Sequence, residues 1–275
     1  MQLYKKRYIS INKELDIDTQ QFIMPELRTV QVEDYHVRYQ VLGEGDPLIL
    51  VHGLSGSMRW WNRNVQTLAQ DHRVYLIDLP GFGTMSRVRN RFAIIHVARW
   101  LLAWMEAVEI QRAHFVGHSM GGYICIWIAA HRPEVVSRLI LVSPAVLSKI
   151  HTVWGYTRPL LTAVRYIKRG FFTILAFDAL RAGPFTLLRA AHDLLSVDAQ
   201  EDIIKIQAPT LLIWGEHDTL VPPSVGKILC TKITDSYLVI LKDASHVSMY
   251  DQPEQFNRLA EAFLKGQPLD EASSC

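Results

Sequence analysis

Residues 117–121 read Gly-His-Ser-Met-Gly, a serine with a glycine two places before it and another two places after it. A serine hydroxyl is a weak nucleophile until a base takes its proton, so this spacing matters only if the backbone lifts Ser119 clear and a partner reaches it. The apolar run 114–116 before it reads as a strand, and 120–131 after it as a helix. A sharp strand-to-helix turn would hold Ser119 in a strained conformation, with the flanking positions too crowded for any side chain larger than hydrogen. The first turn of the following helix would also point unpaired N–H groups and a positive dipole end at a developing oxyanion.

The base must be chosen among eleven histidines. His52 and His118 adjoin the serine but precede it in the chain, where an elbow serine is served by an acid and then a histidine further along. His217 lies beside the candidate acid, on a different loop from a base. His246 follows the last apolar run and can reach back over a sheet edge, so it is the expected base. Asp218, just after the run 210–214, is the expected acid; it would hold the imidazole in one tautomer and stabilise the imidazolium. Glu216 is the rival on the same loop. Asp243 and Asp251 read as loop and helix-start carboxylates.

These groups need a scaffold that brings distant loops together. Short apolar runs at 28–32, 35–42, 48–51, 74–77, 114–116, 138–142, 210–214 and 237–241 alternate with helical patterns at 92–108, 120–131 and 252–265. That alternation predicts an α/β fold, a mostly parallel sheet with helices on both faces and its chemistry on loops beyond the carboxyl strand ends. Residues 144–203 break the pattern with helical stretches separated by Gly155, Pro159, Gly170 and Gly183-Pro184. The division expected is an extension at 1–24, a core at 25–143 and 204–275, and a helical cap at 144–203.

Taken together, the chain resembles an α/β-hydrolase with a helical cap, over nearly all of 28–265. The resemblance rests on landmarks in the family's order: His52-Gly53, Asp78-Leu-Pro-Gly-Phe-Gly83, the Ser119 elbow, Gly215-Glu-His-Asp218 and Ala244-Ser-His246. It implies a serine hydrolase cleaving carboxylic esters through an acyl-enzyme. It implies an oxyanion hole built from the backbone N–H groups of Leu54 and Met120, a structural role for Asp78, and structural or pocket-lining positions for His52 and His118. Each hole donor is worth on the order of 3 kcal/mol in comparable enzymes. An acyltransferase, a perhydrolase or a carbon–carbon-bond hydrolase would keep the same triad, and a non-catalytic ligand receptor could keep the same scaffold. Dehalogenases and epoxide hydrolases of this fold carry an aspartate where Ser119 stands.

Composition narrows the partners. Twenty-nine basic residues against 27 acidic give a charge of +2, which offers no phosphate-tracking block and argues against nucleic acid. No phosphate-gripping glycine loop or metal-spaced cluster is seen, so neither cofactor nor metal is expected. Three widely spaced cysteines, Cys125, Cys230 and Cys275, are odd in number, so no disulfide framework can use all of them, and Cys125 reads as a buried apolar filler. With no secretory leader at the start and no apolar run near 18 residues, the cytoplasm is the default. Between 149 and 198 there are seven cations (Lys149, Arg158, Arg165, Lys168, Arg169, Arg181, Arg189) and three acids (Asp178, Asp193, Asp198). These read mainly as solvated helix faces, with acidic substrates or an anionic membrane surface as the other uses. The same stretch holds Val153, Trp154, Tyr156, Leu160, Leu161, Phe171, Phe172, Phe177 and Phe185, expected to pack on the sheet and to wall an apolar acyl pocket together with Trp60 and Trp61. The expected ligand is a small acyl ester; the sequence is silent on oligomeric state.

Overall fold

In a computed structural model, residues 22–88, 93–146, 155, 157–269 and 273–274 are described. The expected extension therefore falls almost wholly outside the described residues, as do Lys149, Val153, Trp154 and Tyr156. The strands are β1 (Glu26–Val32), β2 (Tyr35–Leu42), β3 (Asp46–Val51), β4 (His72–Ile77), β5 (Ala113–His118), β6 (Val136–Val142), β7 (Thr210–Gly215), β8 (Ser236–Leu241) and the two-residue β9 (Ser273–Ser274). They form one sheet in the order β1-β2-β4-β3-β5-β6-β7-β8-β9. The pairs from β4–β3 through β7–β8 are parallel, while β1–β2, β2–β4 and β8–β9 are antiparallel. Eight strands stand where apolar runs announced them; β9 carries no such run.

The burial of each strand follows from its place. β5 and β7 are buried along their whole length, and β7 carries the unbroken apolar run Leu211 to Trp214, whereas edge strand β1 is mostly exposed. Because successive side chains point to opposite faces, the central strands feed two cores. Ile49, Val51, Phe115, Leu139 and Leu141 enter one, and Leu48, Leu50, Val116, Ile140 and Val142 enter the other.

The helices are α1 (Val65–Leu68), α2 (Ile94–Ala107), α3 (Met120–His131), α4 (Thr157–Ala163), α5 (Arg169–Ala182), α6 (Pro184–Ser196), α7 (Gln200–Ile203), α8 (Pro223–Lys232), α9 (Ser248–Asp251) and α10 (Pro253–Leu264). α3 is apolar on every side and buried on nearly every side, as a helix without a polar face must be. α10 begins with Pro253, whose missing N–H costs nothing at a helix start. It buries Phe256, Leu259, Ala260, Phe263 and Leu264 at helical spacing. Helices α4 to α7 lie between β6 and β7, in the stretch read as an insertion. Helix α8 was not anticipated; its apolar stripe is short, with only Gly226, Leu229 and Cys230 buried.

Cys125 is free and buried on α3, and burial pushes its thiol well above the ordinary range. Cys230 is disulfide-bonded. Among the described residues, no single helix is long and apolar enough to cross a membrane.

Burial also makes the sheet acid-sensitive. His114 on β5 is buried, with the ring of His72 edge-on at 5.7 Å. Desolvation, then the neighbouring His72, lowers its pKa from 6.5 to about 4. The unfolded chain takes up this proton near pH 6.5 and the folded protein only near 4. The neutral ring's contribution to stability is therefore intact above 6.5 and drains away as pH falls toward 4. The melting temperature should decline over that window, and His114→Leu should flatten part of the decline; an unchanged slope would contradict this origin.

Candidate active site

Ser119 stands between β5 and α3 with φ +51° and ψ −114°, a conformation that L-residues rarely adopt. The turn is locked by hydrogen bonds on both sides. Ser119 N–H donates to the Val142 carbonyl at 3.0 Å, and its own carbonyl accepts from Ala145 at 3.0 Å and Tyr123 at 3.2 Å. The flanking glycines are there for want of room. A Cβ on Gly117 would lie 2.6 Å from the Gly121 carbonyl oxygen, and one on Gly121 would lie 2.4 Å from that of Val51. Crowding at Gly121 thus comes from the end of β3 and not from its partner glycine. Ser119 is buried in this turn, at 8% exposure.

The loops after β7 and β8 converge. His246 Nδ1 lies 2.8 Å from Asp218 Oδ2, and the Asp218 carboxylate is fully covered. Its other oxygen, Oδ1, accepts from the backbone N–H groups of Leu220 at 3.0 Å and Val221 at 2.9 Å. Those donors fix the plane of the carboxylate. With Nδ1–H donating to the acid, Nε2 of His246 is left as the basic nitrogen. Glu216, the rival acid, is exposed and accepts only a 3.4 Å contact from the Asp243 N–H.

His118 ties the elbow to the histidine loop. Its Nε2–H donates to the His246 carbonyl at 2.9 Å, and the two rings meet edge-on at 4.8 Å. Burial, and then the nearby His246, lowers its pKa well below the ordinary value, so it is a neutral donor. The His52–Gly53 loop abuts the same point: a Cβ on Gly53 would sit 3.1 Å from the Ser119 Cβ and 2.7 Å from His118 Nδ1. Leu54 is the next residue in the chain after Gly53, and Met120 is the first residue of α3. His52 itself is a strut. Its Nε2 accepts from Leu79 N–H at 3.0 Å and its Nδ1–H donates to the Gly53 carbonyl at 2.8 Å, and burial lowers its pKa. Asp78 accepts from Met58 N–H, Thr84 N–H and the Thr84 hydroxyl at 2.6 to 2.8 Å, a structural use. Asp251 likewise holds the histidine loop, accepting from the Ser245 N–H at 2.8 Å and hydroxyl at 2.6 Å.

Two readings of the inserted helices need correction. Asp178 is not on a solvated face. It is buried, accepting from Ser57 Oγ at 2.7 Å and Trp60 Nε1 at 3.2 Å, and burial raises its pKa. Its position three and four residues beyond Leu175 and Ile174, and seven beyond Phe171, is the signal that could have shown this. Second, Leu160, Leu161, Phe172, Phe177 and Phe185 do not pack inward; all are exposed. Phe171 does, against Trp60 at 5.0 Å and Tyr250 at 4.9 Å, and Trp60 in turn lies 5.5 Å from the His118 ring. Trp60 thus lies between the Phe171 and His118 rings, while Trp61 turns away to pack on Phe256.

A cavity of about 1590 Å³ opens elsewhere, lined by Pro80, Val97, Trp100 and the α5–α6 corner, and Ser119, Asp218 and His246 are not among its lining residues. Glu216, His217 and Asp243 offer one ligand atom each within 4.8 Å of one another. They sit at the surface, with His217 stacked on Tyr166 at 4.8 Å.

Residues 48–259 match the alpha/beta hydrolase family. The chain belongs to that family. It is 30% identical over 244 residues to a putative carbamate hydrolase, RutD, of Pseudomonas syringae pv. syringae (strain B728a), an alignment covering 80% of this chain and 94% of that one. It is 28% identical over 255 residues to a pimeloyl-[acyl-carrier protein] methyl ester esterase of Aeromonas salmonicida (strain A449), covering 83% and 99%. Among solved structures it is similar to a membrane phospholipase A described as a bacterial virulence factor, at 26% identity and a TM-score of 0.71, covering 88% and 86%.

The family's loop geometry leaves no slack behind His246. A Cβ on Gly215 would lie 2.0 Å from the Ser245 carbonyl oxygen and 2.5 Å from that of Ala244. Gly215→Ala should therefore push the loops of Asp218 and His246 apart and destabilise the fold by about 2 kcal/mol or more. Thermal melting tests this, and a wild-type midpoint would show the loops to be softer than they look.

Proposed function

We propose that this family member is a serine hydrolase acting on carboxylic esters, with Ser119 as nucleophile, His246 as base and Asp218 as orienting acid. The observation that carries the reading is the 2.8 Å pairing of His246 with a fully covered Asp218, on a histidine loop whose His246 carbonyl is held by His118, the residue before a serine at positive φ. A methyl ester esterase and a phospholipase among the relatives support an ester as the substrate.

The reaction follows from those positions. Ser119 Oγ attacks the ester carbonyl carbon while its proton passes to His246 Nε2. The imidazolium is stabilised by Asp218 across the Nδ1–H bond. The carbonyl oxygen becomes an oxyanion, received by the N–H groups of Leu54 and Met120. Collapse of the tetrahedral species breaks the C–O bond, and the departing alkoxide takes the proton from His246 and leaves as alcohol. Water then attacks the acyl-enzyme, giving its proton to His246; the second collapse releases the acid and returns that proton to Ser119. His118 takes no proton in this scheme; it stays neutral and holds the His246 main chain. Helices α4 to α7 serve as the cap of this reading, with Phe171 and Trp60 forming the apolar side toward the acyl chain.

A fluorophosphonate probe should label the wild-type protein, with labelling lost in Ser119→Ala; absence of labelling in the wild type would favour a ligand receptor. Ser119→Ala and His246→Ala should each lower kcat by about 10⁴ to 10⁶, and Asp218→Asn by somewhat less. Glu216→Gln should be near-neutral, and the reverse ranking of these two would exchange the acids.

Chain-length selectivity tests the apolar side separately. Turnover of p-nitrophenyl esters should rise from acetate toward longer acyl chains. A flat or falling profile would remove the apolar acyl site while leaving the triad in place.

A further inference from the structure

The solvent faces of α4, α5 and α6 carry an unusual combination of side chains. Leu161 is 73% exposed, Leu180 84% and Phe185 87%, and Leu160, Val164, Phe172 and Leu188 are each at least half exposed. Soluble surfaces show single exposed apolar residues freely, but a cluster of this size marks a contact. Interleaved with them, every exposed charge from 157 to 190 is positive: Arg158, Arg165, Lys168, Arg169, Arg181 and Arg189. The one acid in that stretch, Asp178, is buried against Ser57 and Trp60. Arg59, from the core, adds a further cation, lying 4.6 Å over the Phe177 ring.

Helical geometry makes this a face and not a scatter. On α5, Phe171, Asp178 and Ala182 turn inward, while Arg169, Phe172, Phe177, Leu180 and Arg181 turn outward. On α6, Ala190 turns inward, while Phe185, Leu188 and Arg189 turn outward. The two helices are bent 97° from one another at Gly183. They form a corner with Leu180 and Phe185 at its apex and Arg181 and Arg189 beside them.

We propose that this corner docks on an anionic lipid surface. The long apolar side chains at the apex enter the headgroup–acyl boundary while the arginines pair with lipid phosphates, as basic amphipathic helices do. The charge pattern favours this partner over a second copy of the chain, since two such corners would set Arg169, Arg181 and Arg189 of one against the same arginines of the other. The inference goes beyond the proposed chemistry and does not depend on it.

Flotation of the full chain with vesicles tests it without any turnover. The wild type should bind phosphatidylcholine–phosphatidylglycerol vesicles (about 7:3) far better than phosphatidylcholine alone, and high salt should release it. Arg181→Glu with Arg189→Glu should weaken binding by about 25-fold or more, since each cation near such a surface is worth about five-fold. Leu180→Ser with Phe185→Ser should weaken it by on the order of ten-fold or more. All four positions are exposed, so melting temperatures should stay near that of the wild type and separate loss of binding from loss of fold. No binding to anionic vesicles, or equal binding by wild type and both variants, would overturn the proposal. So would a concentration-dependent dimer of the wild type abolished by the Leu180/Phe185 substitutions, which would assign the face to a second copy.

Discussion

A backbone bend that no helix or strand would choose governs the layout of the site. Ser119 at φ +51° is strained on its own, and strain of this kind costs of order 1–3 kcal/mol and survives only when its surroundings over-determine it. Here the surroundings are the ends of β3, β5 and β6. Val142 accepts from the Ser119 N–H, Ala145 donates to its carbonyl, and the ends of β3 press against Gly121. The parallel order β3-β5-β6 is what brings those three strand ends to one level. Topology is therefore upstream of reactivity: a sheet in another order would have nothing with which to hold the bend.

The same economy of space governs the acid and the histidine. Their loops leave adjacent strands, β7 and β8, and Gly215 lets the two backbones touch. Asp251 ties down Ser245, Asn64 donates to the Met249 carbonyl at 2.9 Å, and His118 donates to the carbonyl of His246 itself. None of these bonds reaches the imidazole directly, yet together they decide where it can lie. A side chain placed by its backbone in this way loses little entropy when it acts, which is the sense in which a site is preorganised.

This division explains what could be read from the residues alone. The sheet was legible because parallel strands buried on both faces read as continuous apolar runs, and 48–51, 139–142 and 211–214 are such runs. The elbow was legible because only glycine fits at 117 and 121. Asp218 and His246 were named from chain order and the resemblance, since no local pattern joins residues 28 apart; their contact depends on β7 pairing with β8. The orientation of the inserted helices was the least legible part. Their outward faces are nearly as apolar as their inward ones, so periodicity does not separate the two sides, and the large residues at 161, 172 and 185 were assigned inward for want of a polar face.

Asp178 resolves that ambiguity in the folded protein. A buried carboxylate is expensive unless it is hydrogen-bonded, and here Ser57 and Trp60 supply the donors from the loop that follows His52-Gly53. Rotating α5 by half a turn to bury Phe172, Phe177 and Leu180 would gain apolar contact, but it would strip Asp178 of both donors, and it would draw Arg169 and Arg181 toward the core. The polar side chain thus does what the apolar pattern cannot: it sets which way the helix faces. The greasy, cationic side is left outward as the consequence of one carboxylate's need for partners, and a surface so exposed persists because the alternative would bury charges with nothing to pair them.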